Sequence, residues 1–291
     1  MNYTLSNDFL SVDISSAGGE IRSIRTPDQK EYLWQGSPQT WEHQAPTLFP
    51  FIGRLTDGYY IYKGQKYTLD CHGFLKDNEL VCEEHTSDRL VLFLEDNEVT
   101  KEHYPFSFRC TLIFSLERNV LKVTYKIDNL QDDTMYFGIG GHPGIIVPLD
   151  ENLNFEDYYV EFESDSNPEQ ILLSAEHFMT KSLKPLELNE KKQLELNHPL
   201  FNFDALVLQN AGSLVTIASD KSSRSVTMDF SDFPFIGLWQ TEHSDPEFVC
   251  LEPWSSLPSY AGERTDLETQ DNLISLEGHK TCTRSFSLKI R

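Results

Sequence analysis

The chain has 291 residues, with 46 acidic against 24 basic side chains and a formal charge of −22 at pH 7. This charge would repel nucleic-acid backbones and anionic lipid surfaces, because proteins bind both mainly through Lys and Arg side chains that neutralise phosphates. No apolar run approaches the roughly 18 residues of a membrane span. We therefore expect a soluble globular protein that binds neither nucleic acid nor membrane.

The N-terminus and the cysteines predict a cytoplasmic protein without disulfides. Residues 1–8 have neither the basic start nor the apolar stretch of a secretory signal. The five cysteines are odd in number, widely scattered and without a C-x-x-C pair, so neither a disulfide framework nor a zinc site is indicated. No H-x-H or H-E-x-x-H spacing supports another metal site.

Alternation of apolar and polar residues predicts strands along most of the chain. A short strand is expected at 90–94, and a hairpin is expected from two alternating runs, 106–116 and 121–127, that flank a turn at 117–119. The more polar stretch 152–197 is compatible with a long excursion or a short helix. Further short strands are expected at 205–208, 214–218, 225–230 and 248–251. Convincing helices are scarce, so we predict an all-β fold, a large antiparallel β-sandwich, in a single domain spanning 1–291.

Two segments place a cation or an imidazole beside glycine, where a tight turn exposes the side chain. Arg54 follows an apolar run and Gly53, and its guanidinium could donate to hydroxyl oxygens or to an oxyanion. The structural alternative is a surface salt bridge. His72 precedes Gly73, and its imidazole can exchange a proton near neutral pH at little cost in free energy. Its structural alternative is a hydrogen-bonded turn.

Two further segments carry a potential acid and a potential base. His142 lies between Gly141 and Pro143, which leave little bulk to cover its imidazole. Glu252 follows the apolar run 248–251 and precedes Pro253, which we expect to end the strand. Burial there would raise the pKa of the carboxyl and strengthen it as a base. A solvent-exposed glutamate is the alternative, and Trp254 offers either a surface for a sugar ring or ordinary core packing.

Taken together and in this order, the four segments resemble the aldose 1-epimerase (galactose mutarotase) family over nearly the whole chain. The similarity is closest to the LacX-like branch of short bacterial homologues. The residues that carry it are Gly53-Arg54, His72-Gly73-Phe74, Gly140-Gly141-His142-Pro143 and Cys250-Leu251-Glu252-Pro253-Trp254.

The resemblance implies a large antiparallel β-sandwich and an isomerase that interconverts the α and β anomers of a hexose without a cofactor or metal. It implies that Glu252 is the general base at the anomeric hydroxyl and that His142 is the general acid at the ring oxygen. Arg54 and His72 are the implied substrate-binding pair. Asp204, just before a strand, best matches the carboxylate that binds sugar hydroxyls, and the nearby competitors are Asp229 and Asp232.

Departures from the family pattern leave open which sugar is bound and whether that sugar is phosphorylated. Better-characterised members carry an asparagine shortly after the arginine, where this chain reads Leu55-Thr56-Asp57. Gly144-Ile145-Ile146 follows the histidine motif in place of aromatic and amide residues. The substrate is therefore a hexose of undetermined identity, with a phosphorylated sugar as an alternative.

Two other kinds of function compete with an isomerase. A non-catalytic sugar-binding or sensor protein would keep the fold and its polar pocket. A glycosidase is the weaker alternative, because it normally needs two carboxylates and only Glu252 has a distinctive setting. The oligomeric state is not determined by the sequence. No chemistry is assigned to the seven other histidines, His43, His85, His103, His177, His198, His243 and His279.

Overall fold

Strands make up most of the regular structure in the computed structural model, which describes residues 1–291. In chain order the first strands are β1 (Asn2–Ser6), β2 (Ser11–Ser15), β3 (Ile21–Arg25), β4 (Thr47–Leu48), β5 (Tyr59–Tyr62), β6 (Gln65–Thr68), β7 (Val81–His85), β8 (Arg89–Glu95), β9 (Phe108–Glu117), β10 (Val120–Asn129), β11 (Met135–Phe137), β12 (Gly140–Gly141) and β13 (Gly144–Ile146). The remaining strands are β14 (Tyr159–Phe162), β15 (Glu169–Leu173), β16 (Met179–Pro185), β17 (Gln193–Glu195), β18 (Leu206–Gln209), β19 (Leu214–Ser219), β20 (Ser222–Asp229), β21 (Phe235–Trp239), β22 (Phe248–Trp254), β23 (Thr265–Asp266), β24 (Ile274–Leu276) and β25 (Thr281–Ile290).

Helices are short. The one α-helix, α1 (Glu98–His103), begins at Asn97, whose side chain accepts from the backbone of Val99 and Thr100 while Thr100 Oγ1 accepts from Asn97 N. This reciprocal cap satisfies backbone donors at the helix start. The 3₁₀ turns are Thr56–Gly58, Leu75–Asp77, Phe155–Asp157 and His198–Phe201.

Two large antiparallel sheets form the layers of a β-sandwich, as predicted. One has nine strands in the order β17-β14-β19-β20-β25-β10-β9-β8-β7, and the other has eight strands, with the path β16-β15-β18-β21-β22-β12-β4 and β13 added beside β22. Both sheets contribute to one core of 62 buried apolar residues. Contact between the layers is close at Gly141, where an added Cβ would lie 2.9 Å from the Phe286 ring.

The strands predicted from alternation are present. The hairpin is β9 and β10, with Glu117 paired to Val120, and the other predicted runs correspond to β8, β18, β19, β20 and β22. The polar stretch 152–197 is not a long excursion, because it holds β14 to β17, and its only helical element is the short 3₁₀ turn Phe155–Asp157. Its strands were missed because each of them buries few side chains and is flanked by polar turns.

Alternation within the eight-stranded sheet separates the core from a second, functional face. Val249 and Leu251 of β22 belong to the large core, whereas Trp254 belongs to a separate cluster of nine buried apolar residues. β18 behaves in the same way, with Leu206 in the large core and Val207 in the smaller cluster. Since successive side chains on a strand point to opposite faces, Glu252 and Trp254 share the face away from the main core.

Candidate active site

Glu252 lies inside β22 rather than at its end. The strand pairs with β21 from Cys250 to Trp254, and the Glu252 side chain is 1% exposed. Pro253 does not end the strand, contrary to the prediction from the sequence. Leu251 and Ser255 on either side of it donate backbone N–H groups to carbonyls within 139–143. The hydrogen bonds between β22 and the segment 139–143 therefore lack only the one N–H that a proline cannot donate, and the strand continues through Pro253.

Gly237 provides the room in which the carboxylate and the indole lie side by side. It pairs with Glu252 across β21 and β22, and a Cβ added there would lie 3.1 Å from the Trp254 ring and 3.3 Å from Glu252 Cβ. Trp254 Nε1 donates to Glu252 Oε2 over 3.2 Å. A glycine inside an apolar strand is typical of such a close approach.

His142 reaches the same carboxylate from the neighbouring chain segment. It lies between β12 and β13, which both pair with β22, and its Nε2 is 3.1 Å from Glu252 Oε2. Its ring lies 4.8 Å from that of Trp41, and 5.4 Å from those of Trp239 and His72. His142 Nδ1 and Glu252 Oε1 are buried without a hydrogen-bond partner. The pair is therefore enclosed by rings and retains unused polar atoms.

Burial shifts the pKa values of Glu252 and His142 in opposite directions. It raises the pKa of Glu252 well above the ordinary 4.5, and the nearby Asp204 charge raises it further. Burial also lowers the pKa of His142 well below 6.5. Both shifts favour neutral forms, because a low-dielectric site disfavours charge. Such a pair readily holds a single shared proton.

Arg54 and Asp204 meet across the cavity. The Arg54 Nη2 atom is 3.2 Å from Asp204 Oδ2, and Ala205 N donates to Asp204 Oδ1 over 2.8 Å. Asp204 has a left-handed backbone, with a φ of 62°, a conformation that aspartate tolerates better than most residues. The two competing aspartates lie outside the cavity. Asp229 accepts from Ser231 N, and Asp232 accepts from the backbone and hydroxyl of Ser285.

His72 is fixed by the backbone of the arginine segment. Gly53 N donates to His72 Nδ1 over 3.1 Å, which leaves any ring proton of the neutral imidazole on Nε2. Burial, together with the charges of Lys76 and Arg54, lowers the pKa of His72 to about 3. His72 therefore stays neutral at physiological pH and can donate one hydrogen bond from Nε2.

All six residues selected from the sequence line one cavity of about 280 Å³. These residues are Arg54, His72, His142, Asp204, Glu252 and Trp254. The sequence reasoning missed other residues of the wall, among them Trp41, His43, Lys76, His177, Met179 and Trp239. Gly237, within the apolar run of β21, was the one local signal that a site lay nearby. The others reach the cavity from loops and strands far apart in the chain.

Two groups of side chains at the cavity have the donor types of metal ligands. His142, Cys250 and Glu252 form one group, and His177, Asp204 and Glu242 form the other. Burial raises the pKa of Cys250 well above 9.0, which disfavours the thiolate that a metal would need. In the second group Asp204 already pairs with Arg54. Neither arrangement presents a set of donors free of competing partners.

Comparison with known proteins identifies the family. The aldose 1-epimerase family model matches residues 1–270. The chain belongs to the aldose 1-epimerase family. It is 32% identical to the protein LacX (plasmid) of Lactococcus lactis subsp. lactis over 305 aligned residues, which cover 100% of this chain and 99% of the relative.

Solved structures of related proteins agree with this membership. A galactose mutarotase related enzyme from Lactobacillus acidophilus has a TM-score of 0.96 at 32% identity, covering 100% of this chain and 97% of that one. A galactose mutarotase-like protein from Lactobacillus casei has a TM-score of 0.95 at 27% identity, covering both chains fully. Membership in the aldose 1-epimerase family supports an isomerase of the mutarotase type with a sugar as substrate. The structure has no helix of sufficient length and apolarity for a membrane span.

Proposed function

We propose that this aldose 1-epimerase homologue interconverts the α and β anomers of a free hexose by general acid–base catalysis, without a cofactor or metal. The observation that carries the proposal is the contact of His142 Nε2 with Glu252 Oε2 at 3.1 Å in the wall of a cavity. The anomeric oxygen O1 and the ring oxygen O5 are bonded to the same carbon. An acid and a base that act on them must therefore also lie close together.

Ring opening requires two proton transfers. Glu252 accepts the proton of the O1 hydroxyl, and His142 donates a proton to O5 as the C1–O5 bond breaks and the C1–O1 bond becomes a carbonyl. Rotation about C1–C2 then presents the other face of the aldehyde. O5 attacks that face, O5 returns its proton to His142, and Glu252 returns its proton to O1. Acid and base end in their starting states, so the cycle consumes nothing.

The acid–base pair holds one proton throughout this cycle. Before ring opening the proton is on His142, and after it the proton is on Glu252. Because burial raises the pKa of Glu252 and lowers that of His142, the empty site favours the neutral state that follows ring opening. Bound hydroxyls must stabilise the charged starting state. The unpartnered His142 Nδ1 and Glu252 Oε1 atoms are available for further hydrogen bonds as the charges change.

The other wall residues suit a neutral polyol of the size of one sugar. A volume of about 280 Å³ lies at the low end of ligand pockets, which fits a monosaccharide better than an oligosaccharide. Arg54, Asp204 and the Nε2 atom of His72 supply donors and acceptors for hydroxyls. Trp254 supplies an apolar surface for a ring face. We assign these four residues to substrate binding.

Polarimetry of freshly dissolved α-galactose and α-glucose tests the proposal. The native protein should accelerate the approach to anomeric equilibrium, and the Glu252→Gln variant should lose about 10²–10⁴-fold in turnover, because it keeps the shape of the side chain without a proton acceptor. Glu117→Gln is a matched control, since Glu117 is exposed at the end of β9 and outside the cavity. Near-normal turnover in Glu252→Gln would remove Glu252 from the role of base.

Failure of the native protein to exceed the buffer rate would exclude both free hexoses as substrates. Anomers of a hexose phosphate, followed by NMR exchange, would then separate a phosphorylated substrate from a protein that only binds sugar. Accelerated exchange between the anomers of the hexose phosphate would support the same acid–base chemistry on a phosphorylated substrate. Binding without accelerated exchange would favour a sensor.

A further inference from the structure

His177 belongs to a chain of polar side chains at the cavity that the proposed acid–base pair does not use. Its Nδ1 atom lies 3.3 Å from Asp204 Oδ2 and 3.4 Å from Glu242 Oε1. Asp204 Oδ2 also lies 3.2 Å from Arg54 Nη2. The order Glu242, His177, Asp204, Arg54 therefore alternates acceptors and donors, and the last three of these residues line the cavity.

The backbone holds His177 in place for these contacts. The residue lies in the turn between β15 and β16, where Ser174 N donates to Phe178 O and His177 N donates to Ser174 O. Its φ of 64° is left-handed, which is uncommon for a residue with a side chain. Its ring packs against that of Phe203 with centroids 4.9 Å apart. The imidazole is thus held against the residue that precedes Asp204.

Three donors converge on the two oxygens of Asp204. Ala205 N donates to Oδ1, while Arg54 and His177 both contact Oδ2. Arg54 makes only a single contact, although arginine and carboxylate readily form a bidentate pair. Without His177, only the Ala205 N–H on Oδ1 would oppose a rotation of the carboxylate that joins it to the guanidinium in such a pair. Neither group would then be free to bind sugar hydroxyls.

We infer that His177 is a positioning residue for substrate binding, which holds the Asp204 carboxylate away from a closed pair with Arg54. This inference rests on the proposed function, because it assumes that Asp204 and Arg54 bind sugar hydroxyls. The role is confined to binding. His177 contacts neither His142 nor Glu252, so it affects the affinity for the sugar and leaves the proton transfers unchanged.

The experiment compares two variants that both tolerate the left-handed backbone. His177→Gly removes the donor, whereas His177→Asn keeps an N–H at the position of Nδ1. With the hexose that the native protein accepts, His177→Gly should raise KM about tenfold, the size of one lost hydrogen bond to a charged group, with kcat within about threefold. His177→Asn should recover most of the lost affinity. His279→Gly is the matched control, because His279 also has a left-handed φ, of 57°, and pairs with Asp132 outside the cavity.

Coupling to Asp204 separates positioning from a general loss of structure. In an Asp204→Asn background, His177→Gly should change KM by less than about twofold, because there is no longer a carboxylate to hold. An unchanged KM in the single variant, or an equal effect in both backgrounds, would overturn the inference. A metal-dependent result would also overturn the inference. In that case EDTA would abolish the activity, and Zn²⁺ would restore it in the native protein but not in His177→Gly, because His177 would be a metal ligand. A native protein that neither converts nor calorimetrically binds a hexose would overturn the proposed function together with this inference.

Discussion

Replacing the buried carboxyl of Glu252 by an amide should stabilise the protein, and increasingly so as the pH rises. In the unfolded chain this carboxyl ionises near pH 4.5, whereas burial raises its pKa well above that value in the folded protein. Between these two points the folded protein holds a proton that the unfolded chain has lost. Folding thus becomes less favourable with rising pH, and the loss is complete above the raised pKa.

The size of the effect follows from the same linkage. The contribution of Glu252 to the free energy of unfolding falls by about 1.4 kcal/mol for each pH unit between 4.5 and its raised pKa. Glu252→Gln lacks this dependence. The lowered pKa of His142 acts in the opposite direction, but His142 is present in both proteins and largely cancels in their difference. The advantage of the variant should therefore increase by about 1.4 kcal/mol per pH unit over this interval.

Urea unfolding at pH 5, 6, 7 and 8, followed by tryptophan fluorescence, measures the difference directly. Glu117→Gln is again the control, because its side chain is exposed at the end of β9, and its stability should stay within about 0.5 kcal/mol of the native protein. If the difference between Glu252→Gln and the native protein is the same at every pH, the carboxyl is not perturbed by burial. The proposed proton count of the acid–base pair would then be wrong as well.

Three further changes test other parts of the site. His142→Asn should reduce turnover by about 10²–10⁴-fold in polarimetry, with sugar affinity within about tenfold in calorimetry; normal turnover would exclude it as the acid. Arg54→Ala should raise KM and lower kcat. The control Arg264→Ala should change neither, because Arg264 is exposed and lies outside the cavity. Unchanged kinetics in Arg54→Ala would place Arg54 outside the substrate site. Gly237→Ala should weaken sugar binding severalfold, because its Cβ would press on the Trp254 ring; unchanged affinity would show that the indole can shift freely.

Local sequence patterns were sufficient for the fold class and for the choice of His142 and Glu252 as candidates. Period-two alternation is a property of neighbouring residues, so β9 and β10 could be recognised without knowledge of their partners. His142 and Glu252 were selected because glycine or proline lies beside each of them in an apolar context. The four short motifs then indicated the family, and the structure places all six selected residues around one cavity.

The tertiary structure decided what depends on pairing between distant segments. Asp204 was the best match in the sequence, with Asp229 and Asp232 as competitors, but only the path of the chain places Asp204 against Arg54, 150 residues away. The same holds for His177, which carries no local sign of chemistry and meets Asp204 through the turn between β15 and β16.

The continuation of β22 through Pro253 is likewise a tertiary effect. The proline removes one backbone donor from β22, and the hydrogen bonds of Leu251 and Ser255 to the segment 139–143 hold the strand in place. The sequence by itself determined the fold class, several of the strands, among them β9 and β10, and which residues have suitable chemistry. Only the folded sheets determined which of these side chains meet, because strand register and loop paths are set by long-range packing.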